Sequence, residues 1–353
     1  MIHKRLELSR RASGLTKSEL AEKIGSLITS QAISQYESGE AMPSSSVLFA
    51  LAKGLDVSVD FLVSSQIQKV DSPEFEKLSK ISERRRAIVE AEVIDYLERY
   101  MSIEAILNLP RQTQWIEQHK WNKADGFEAL EERAEELRNT WKLGLDPIHS
   151  LCHEVEYKGI HVILTDLPQS IQGFSSKVGC RDQSVLEVMV ISKHLNVERR
   201  RFAMACELAR IIARSTVNLT IGHERAVRLF AGAFLVPRES LVDLLGENRN
   251  RITYFEIIQL KHFFGVAASV VFDRIGQTRI LPPREIKRAY MTFARSWREK
   301  EPEPISTDDL FVTMERPRRF KLLVAHALGE GLFAPVRATS LLNLPLDEVE
   351  KMF

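Results

Sequence analysis

The chain has 353 residues, of which 44% are hydrophobic and 27% are charged, as expected for a globular protein of about two or three domains. Its 49 lysines and arginines almost balance its 48 aspartates and glutamates, which excludes a strong overall electrostatic attraction to nucleic acid or membranes. Any DNA binding must therefore come from a local surface.

The cysteines and the hydropathy pattern indicate the compartment. The 3 cysteines form no CxxC pair, which argues against a disulfide framework or a zinc knuckle. No apolar run approaches the roughly 20 residues of a membrane span. We therefore predict a cytoplasmic protein with no membrane partner.

Residues 1–65 contain short helical segments separated by turns. Thr16 and Glu19 have the spacing of a capping box, which predicts a helix from Lys17 to about Ile24. A further helix is predicted at residues 30–37. Over its whole length this segment resembles the Xre/Cro family of helix-turn-helix domains, which implies five helices, the third of them a recognition helix.

The resemblance implies that the recognition helix points its first residues at base edges in the major groove of double-stranded DNA. Glutamine suits this role because it can bind adenine through two hydrogen bonds, whereas basic side chains suit phosphates. The predicted base-reading residues are Ser30, Gln31, Ser34 and Gln35, and the predicted phosphate-binding residues are Arg10, Arg11 and Lys17. The alternative is a five-helix interaction module that does not bind DNA.

Residues 66–110 are predicted to be a connecting segment. Gln66 to Pro73 is polar and predicts a linker, whereas Ser82 to Leu107 lacks proline and glycine and predicts a long helix. Apolar residues recur in that helix as in a coiled-coil seam, namely Val89, Val93, Tyr96, Tyr100, Ile103 and Leu107. The seam predicts either a dimer helix, which would let two copies read a palindrome, or a helix packed on its own chain.

Residues 111–281 are predicted to form an α+β domain. Helices are predicted at 127–141, ending at Gly144, and at 146–156, and strands at 159–164 and 188–191, flanking Gly173 to Ser176. Three isolated histidines lack the paired spacing of metal ligands and are predicted to be packed or surface residues: His149, His153 and His161.

Residues 198–237 carry the most specific pattern of this domain. Their key elements are Arg199-Arg200-Arg201-Phe202, Glu207-Leu208, and Glu224 followed by residues 230–237. Together these elements resemble the core of the ImmA/IrrE family of zinc peptidases. In HExxH peptidases, two histidines one helical turn apart bind zinc, and the glutamate between them activates the bound water.

The chain departs from this pattern at the metal ligands. Cys206 and Arg210 stand at the two histidine positions. Glu207 keeps the position of the general base, and Glu224 matches the third ligand. Because a guanidinium has no lone pair for a metal, we predict an inactive, metal-free pseudopeptidase without a cofactor, in which Arg210 pairs with Glu207 or Glu224. The alternative is an improvised metal site of Cys206, Glu224 and His223.

Residues 282–353 are predicted to form a helical C-terminal module that starts at Pro282 and Pro283. The segment resembles the helical tail of long Xre regulators that carry an ImmA/IrrE-like domain. Its spacing also suggests a second helix-turn-helix, but its basic cluster is small, consisting of Arg316, Arg318 and Arg319. A packing or partner-binding module is therefore predicted before a second DNA-binding element.

The predicted fold class is mainly α with a small β-sheet. The resemblance implies a transcriptional regulator that binds an operator at its own promoter as a homodimer. Proteins of this architecture are frequently encoded beside a toxin, so we predict an antitoxin whose inactive domain binds a partner or a small effector, in this case the cognate toxin. The alternative is a domain that only stabilises the dimer. The competing function is an active zinc endopeptidase of the ImmA/IrrE type that cleaves a repressor, and the missing histidines argue against it.

Overall fold

The computed structural model describes residues 2–64, 66–71, 82–110, 113–121, 126–214, 221–297, 299–306 and 310–352. The fold is mainly helical with one small sheet, which confirms the predicted class. Its first five helices are α1 Ile2–Ser13, α2 Lys17–Lys23, α3 Ser30–Ser38, α4 Ser45–Leu55 and α5 Val59–Val63.

Local caps set the ends of the helices in this first domain. Thr16 makes the predicted capping box with Glu19 at the start of α2. Thr29 caps α3, because its hydroxyl accepts a hydrogen bond from the backbone N–H of Ala32 at 3.2 Å. Gly39 ends α3 in the left-handed conformation, with a φ of 81°. The predicted start of the recognition helix at residue 30 is thereby confirmed.

The segment predicted as a linker contains a strand. Ile67–Asp71 forms β1, which pairs antiparallel with β3, Gly173–Cys180. The mixed polar composition concealed this strand, because pairing at a sheet edge depends on backbone hydrogen bonds more than on side-chain alternation. The linker prediction is therefore wrong for residues 67–71, and residues 72 and 73 lie outside the described residues.

Two further strands complete a four-stranded sheet of order β1-β3-β4-β2. They are β2, Ile160–Thr165, and β4, Val185–Ser192, which confirm the two predicted strands. β2 runs parallel to β4, whereas β3 runs antiparallel to it. The prediction missed β3 as a strand, because glycine and serine at its start have low β-propensity.

The long helix α6, Glu83–Ile106, confirms the helix predicted from residue 82 to 107. Its apolar seam is covered by its own chain: Val89 is 0% exposed, Val93 1%, Tyr100 2% and Ile103 0%. One part of the seam packs with the helix-turn-helix domain and one face of the sheet, and the other part packs with the C-terminal helices. This burial favours the alternative interpretation, a helix packed on its own chain.

The other face of the sheet packs against helices of the predicted α+β domain. The first three of these helices are α7 Gln114–Gln118, α8 Phe127–Trp141 and α9 Leu151–Tyr157. α8 has the predicted bounds, but its left-handed C-terminal residue is Lys142 rather than Gly144. α9 begins later than predicted, because Ser150 provides its N-cap by accepting from the backbone N–H of His153.

The next helical elements in the described part of the chain are α10 Val197–Ala213, α11 His223–Leu235, α12 Arg238–Leu245, α13 Tyr254–Phe264, α14 Ala268–Gln277, α15 Pro283–Ala289 and a π-helix, Tyr290–Ala294. The hydrophobic core that contains α10 continues through the buried residues Ala289, Ala294 and Trp297. Residues after the predicted boundary at Pro282 thus share one core with the preceding domain.

The chain ends with α16 Leu310–Met314, α17 Arg319–Gly329, α18 Pro335–Leu342 and α19 Leu346–Glu350. α17 packs on α6, where the rings of Phe320 and Tyr100 stack at 5.2 Å between centroids. Arg319 donates to the Tyr100 hydroxyl at 3.0 Å, and Arg318 donates to the Thr313 carbonyl oxygen at 2.5 Å. Two members of the small basic cluster therefore hold protein contacts, which favours the packing interpretation of this module.

Among the described residues, no single helix is long and apolar enough to cross a membrane. α13 and α14 meet the length and composition only as a pair bent by 105°. Both helices contribute side chains to the hydrophobic core, including the fully buried Ile257, Phe264 and Val271.

Candidate functional site

The exposed side chains of α3 form the candidate DNA-reading surface. Gln31 and Gln35 are exposed and lie one turn apart, so they share one face of the helix, while Ser30 and Ser34 beside them are half-buried. Lys17 at the start of α2 donates to the Ser34 hydroxyl at 2.9 Å and retains 39% exposure of its side chain. The structure thus brings the predicted base-reading residues together with one predicted phosphate-binding residue.

Arg10 departs from its predicted role. Its Nε and Nη2 donate to the two carboxylate oxygens of Glu37 at 2.6 and 2.9 Å, and its Nη1 donates to the Leu15 carbonyl oxygen at 2.9 Å. The Arg10 side chain is only 14% exposed. Arg10 is therefore a brace between α1 and α3 rather than a phosphate ligand, and only Arg11 and Lys17 of the predicted basic set remain accessible.

Sequence reasoning missed Glu37 as the partner of Arg10. The two residues are 27 positions apart, and no helical spacing connects them. Arg11, by contrast, is 42% exposed and lies near two exposed carboxylates, 4.0 Å from Glu7 and 3.5 Å from Glu83. Such surface pairs contribute little to stability, so the Arg11 guanidinium can exchange them for other anions.

The second candidate site lies where α10 meets α11. Arg210 Nη1 donates to Glu207 Oε1, one turn earlier on α10. Its other nitrogens donate to Glu224 in the first turn of α11, Nη2 to Oε2 at 2.7 Å and Nε to Oε1 at 3.4 Å. One guanidinium therefore joins both carboxylates of the degenerate motif. The sequence predicted that Arg210 pairs with Glu207 or Glu224, and in the structure it pairs with both.

The electrostatics of this cluster oppose metal binding. Burial disfavours the charge on Arg210, but Glu207 and Glu224 outweigh that effect and raise the pKa of the guanidinium above its usual value. Burial raises the pKa of the Cys206 thiol to about 12, so the sulfur stays protonated at neutral pH and is a poor metal ligand. These residues do not fit a zinc ion, because the cation position is already taken by Arg210.

The improvised metal site is not assembled either. His223 Nδ1 lies 4.0 Å from Glu224 Oε1, and its side chain is 42% exposed, whereas Cys206 is 7% exposed. In the part of the chain that the structure describes, no three histidine, cysteine, aspartate or glutamate side chains form a metal-binding group. His161 packs in a buried position against the Tyr100 ring, with 4.6 Å between centroids, in agreement with its predicted packed state.

A buried anchor behind the site was not predicted. Glu315, which precedes α17, is 0% exposed and accepts hydrogen bonds from the backbone N–H groups of Leu151 and Cys152 at 2.5 and 3.0 Å. Its Oε1 also pairs with Arg201 Nη1 of α10 at 2.5 Å, and both side chains are 0% exposed. Arg201 belongs to the motif that prompted the family resemblance, but its partner lies 114 residues away.

Comparisons with known proteins support a two-part architecture. Residues 6–62 match the family model described as Helix-turn-helix, and residues 155–275 match the model described as IrrE N-terminal-like domain. The chain therefore joins an N-terminal helix-turn-helix domain of the Xre type to an IrrE-like domain. The helix-turn-helix domain supports assignment to the DNA-binding regulators.

One similar solved structure is described as a Mycobacterium tuberculosis transcriptional regulator. It is 21% identical, with a TM-score of 0.30, and the alignment covers 44% of this chain and 48% of that chain. The chain thus spans about half the length of that protein, a similarity too low to carry an argument. No curated protein matches the chain.

Proposed function

We propose that the protein is a sequence-specific repressor of its own gene, reading a palindromic operator as a homodimer. The observation that carries this proposal is the capped helix α3, which presents Gln31 and Gln35 on one exposed face beside Lys17. That arrangement suits insertion into the major groove, where glutamine can recognise adenine. The two-fold contact uses a surface other than the α6 seam, which is buried within one chain.

Alanine substitution in α3 is expected to change sequence recognition. Gln31→Ala or Gln35→Ala should each cost about 1–3 kcal/mol at one base position of the operator, because the bidentate contact is lost. Lys17→Ala should weaken binding to all sequences alike, because a phosphate contact carries no sequence information. Mobility-shift titrations with the promoter duplex and single-base variants of it measure both effects.

Gln118→Ala, on the exposed surface of α7, provides a matched control and should bind as the wild type does. If the Gln31→Ala and Gln35→Ala variants both bind every duplex with wild-type affinity, α3 is excluded as the helix that reads the bases.

The IrrE-like domain of this regulator is inactive in our proposal. Arg210 supports this interpretation, because it pairs with both Glu207 and Glu224 at the place where the family pattern puts a metal. Without a metal-bound water, Glu207 has no nucleophile to activate. An active endopeptidase is therefore not supported by the arrangement of these side chains.

We further propose that the protein is an antitoxin and that the inactive domain binds the cognate toxin. β3 offers no free edge to a partner, because it pairs with β1 on one side and with β4 on the other. In this proposal the toxin binds the surface around Arg210 and Glu224, where the Glu224 side chain is 62% exposed. A partly exposed ion-pair cluster of this kind can exchange its internal contacts for contacts with a charged partner.

Co-expression with the product of the neighbouring gene tests the antitoxin role separately from DNA binding. The full-length protein carrying both Gln31→Ala and Gln35→Ala should still neutralise that product, because the DNA-reading surface lies on a different domain. Glu224→Lys should weaken neutralisation, since it reverses a charge at the proposed docking surface. Growth arrest that persists even with the wild-type protein would contradict the antitoxin role.

A further inference from the structure

The first turn of α6 lies against the turn between α1 and α2. Arg84 Nε donates to the Ala12 carbonyl oxygen at 3.4 Å. Its side chain crosses Gly14, where an added Cβ would lie 2.6 Å from Nε and 2.8 Å from Cζ. Gly14 also has a φ of +72°, a conformation that favours glycine. Because Gly14 has no side chain, the Arg84 side chain can lie directly against its backbone; we call this contact the Arg84 seat.

This seat adjoins the DNA-reading surface. Gly14 precedes Lys17 by three residues, and Lys17 contacts Ser34 of α3. In helix-turn-helix complexes the first helix of the motif crosses the DNA backbone while the second enters the groove. Arg84 therefore stands beside the end of the motif that faces phosphates, although it belongs to a helix outside the motif.

The charge of Arg84 remains available. Arg10 is neutralised by Glu37, and Arg85 is paired with Asp166 Oδ2 at 2.6 Å. Arg84 is exposed, and within the described ranges no carboxylate lies in ion-pair distance of its guanidinium. A free guanidinium next to a phosphate-facing turn has the charge and the planar donor geometry to bind a phosphate.

The position of Arg84 relative to the helix-turn-helix is fixed by packing. α1 packs along α6, and a buried ion pair joins the two helices, with Arg5 Nη2 2.5 Å from Glu98 Oε1. The Arg5 and Glu98 side chains are only 4% and 9% exposed. Such a fixed arrangement lowers the entropic cost of holding Arg84 near the DNA.

We propose that Arg84 binds a phosphate of the DNA backbone, extending the DNA-binding surface from the helix-turn-helix onto the connecting helix α6. The inference rests on the proposed DNA-binding function and adds a contact that the helix-turn-helix match at residues 6–62 does not contain. Because phosphate contacts release counterions, the contact is visible in the salt dependence of binding.

The test uses the full-length protein and two probes, a duplex from its own promoter and a duplex of unrelated sequence. Binding constants are measured by fluorescence anisotropy over a series of KCl concentrations. Arg84→Ala should reduce the magnitude of the slope of log K against log salt by about 0.9 for each phosphate contact that is lost, which is about 1.8 for a homodimer, with both probes. Arg84→Lys should retain the wild-type slope, because the positive charge stays in place.

Arg284→Ala is the matched control, since Arg284 is an 82% exposed arginine of α15 and should leave the slope unchanged. Thermal unfolding confirms that each variant is folded at the assay temperature. A folded Arg84→Ala protein with the wild-type slope overturns the inference while leaving the proposed function intact. The same conclusion follows if Arg84→Lys reduces the slope as much as Arg84→Ala does. A wild-type protein that binds neither duplex overturns the proposed DNA-binding function as well.

Discussion

Replacing Glu315 by alanine is expected to destabilise the folded protein by about 3–5 kcal/mol, the typical cost of removing one partner from a buried ion pair. The substitution leaves the Arg201 guanidinium in an environment where both side chains were 0% exposed. It also removes the carboxylate that accepts hydrogen bonds from the Leu151 and Cys152 backbone N–H groups. Burying those groups without a partner adds to the cost.

Denaturant unfolding followed by circular dichroism measures this effect as a shift of the transition midpoint. Glu135→Ala, at an exposed position of α8, is the control and should change stability by no more than about 0.5 kcal/mol. The double variant Arg201→Met with Glu315→Leu should recover much of the loss, because paired apolar side chains can replace a buried ion pair. A loss below about 1 kcal/mol for Glu315→Ala would show that the anchor is not needed.

Placing histidines at positions 206 and 210 should create a zinc site. The wild-type protein is expected to contain no stoichiometric zinc, whereas the double variant Cys206→His with Arg210→His should bind about one zinc per chain. Removing Arg210 frees the Glu224 carboxylate that it now holds at 2.7 Å, and the two new imidazoles lie one helical turn apart. Elemental analysis after dialysis against zinc-containing buffer measures the metal content.

The single variant Arg210→His is the control for this experiment and should not hold stoichiometric zinc, because it supplies one imidazole where the HExxH motif uses two. Zinc should also stabilise the double variant alone, by about 4 kcal/mol when free zinc is a thousandfold above the dissociation constant, and so raise its unfolding temperature. Wild-type protein that carries about one zinc per chain, lost on Cys206→Ala, would contradict the proposed metal-free domain.

Local sequence signals determined much of the fold. The capping box of Thr16 and Glu19 placed α2, because it satisfies backbone N–H groups within four residues of chain. The period of apolar residues placed α6, which begins directly after Ser82, the first residue of the predicted helix. The sequence likewise carries the argument for the proposed metal-free site, because Arg210 cannot donate a lone pair to a metal in any fold.

The partners of those elements depended on contacts between distant parts of the chain. The apolar seam of α6 has the same spacing whether it faces a second chain or its own, and only packing shows that Val89 and Ile103 are buried within one chain. The sequence of β1 has no strong strand pattern. This strand forms because it pairs with β3, about one hundred residues later in the chain. A periodic pattern specifies which face is apolar but not what covers it.

Charged residues show most clearly that the sequence gives the type of a side chain but not its partner. The sequence offered Arg10 as a phosphate ligand and Arg201 as part of a family motif. In the tertiary structure Arg10 pairs with Glu37 and Arg201 pairs with Glu315, whereas Arg84 lies beside the α1–α2 turn. A side chain's charge is set by its residue type, but whether that charge is neutralised depends on which carboxylate the fold brings within reach.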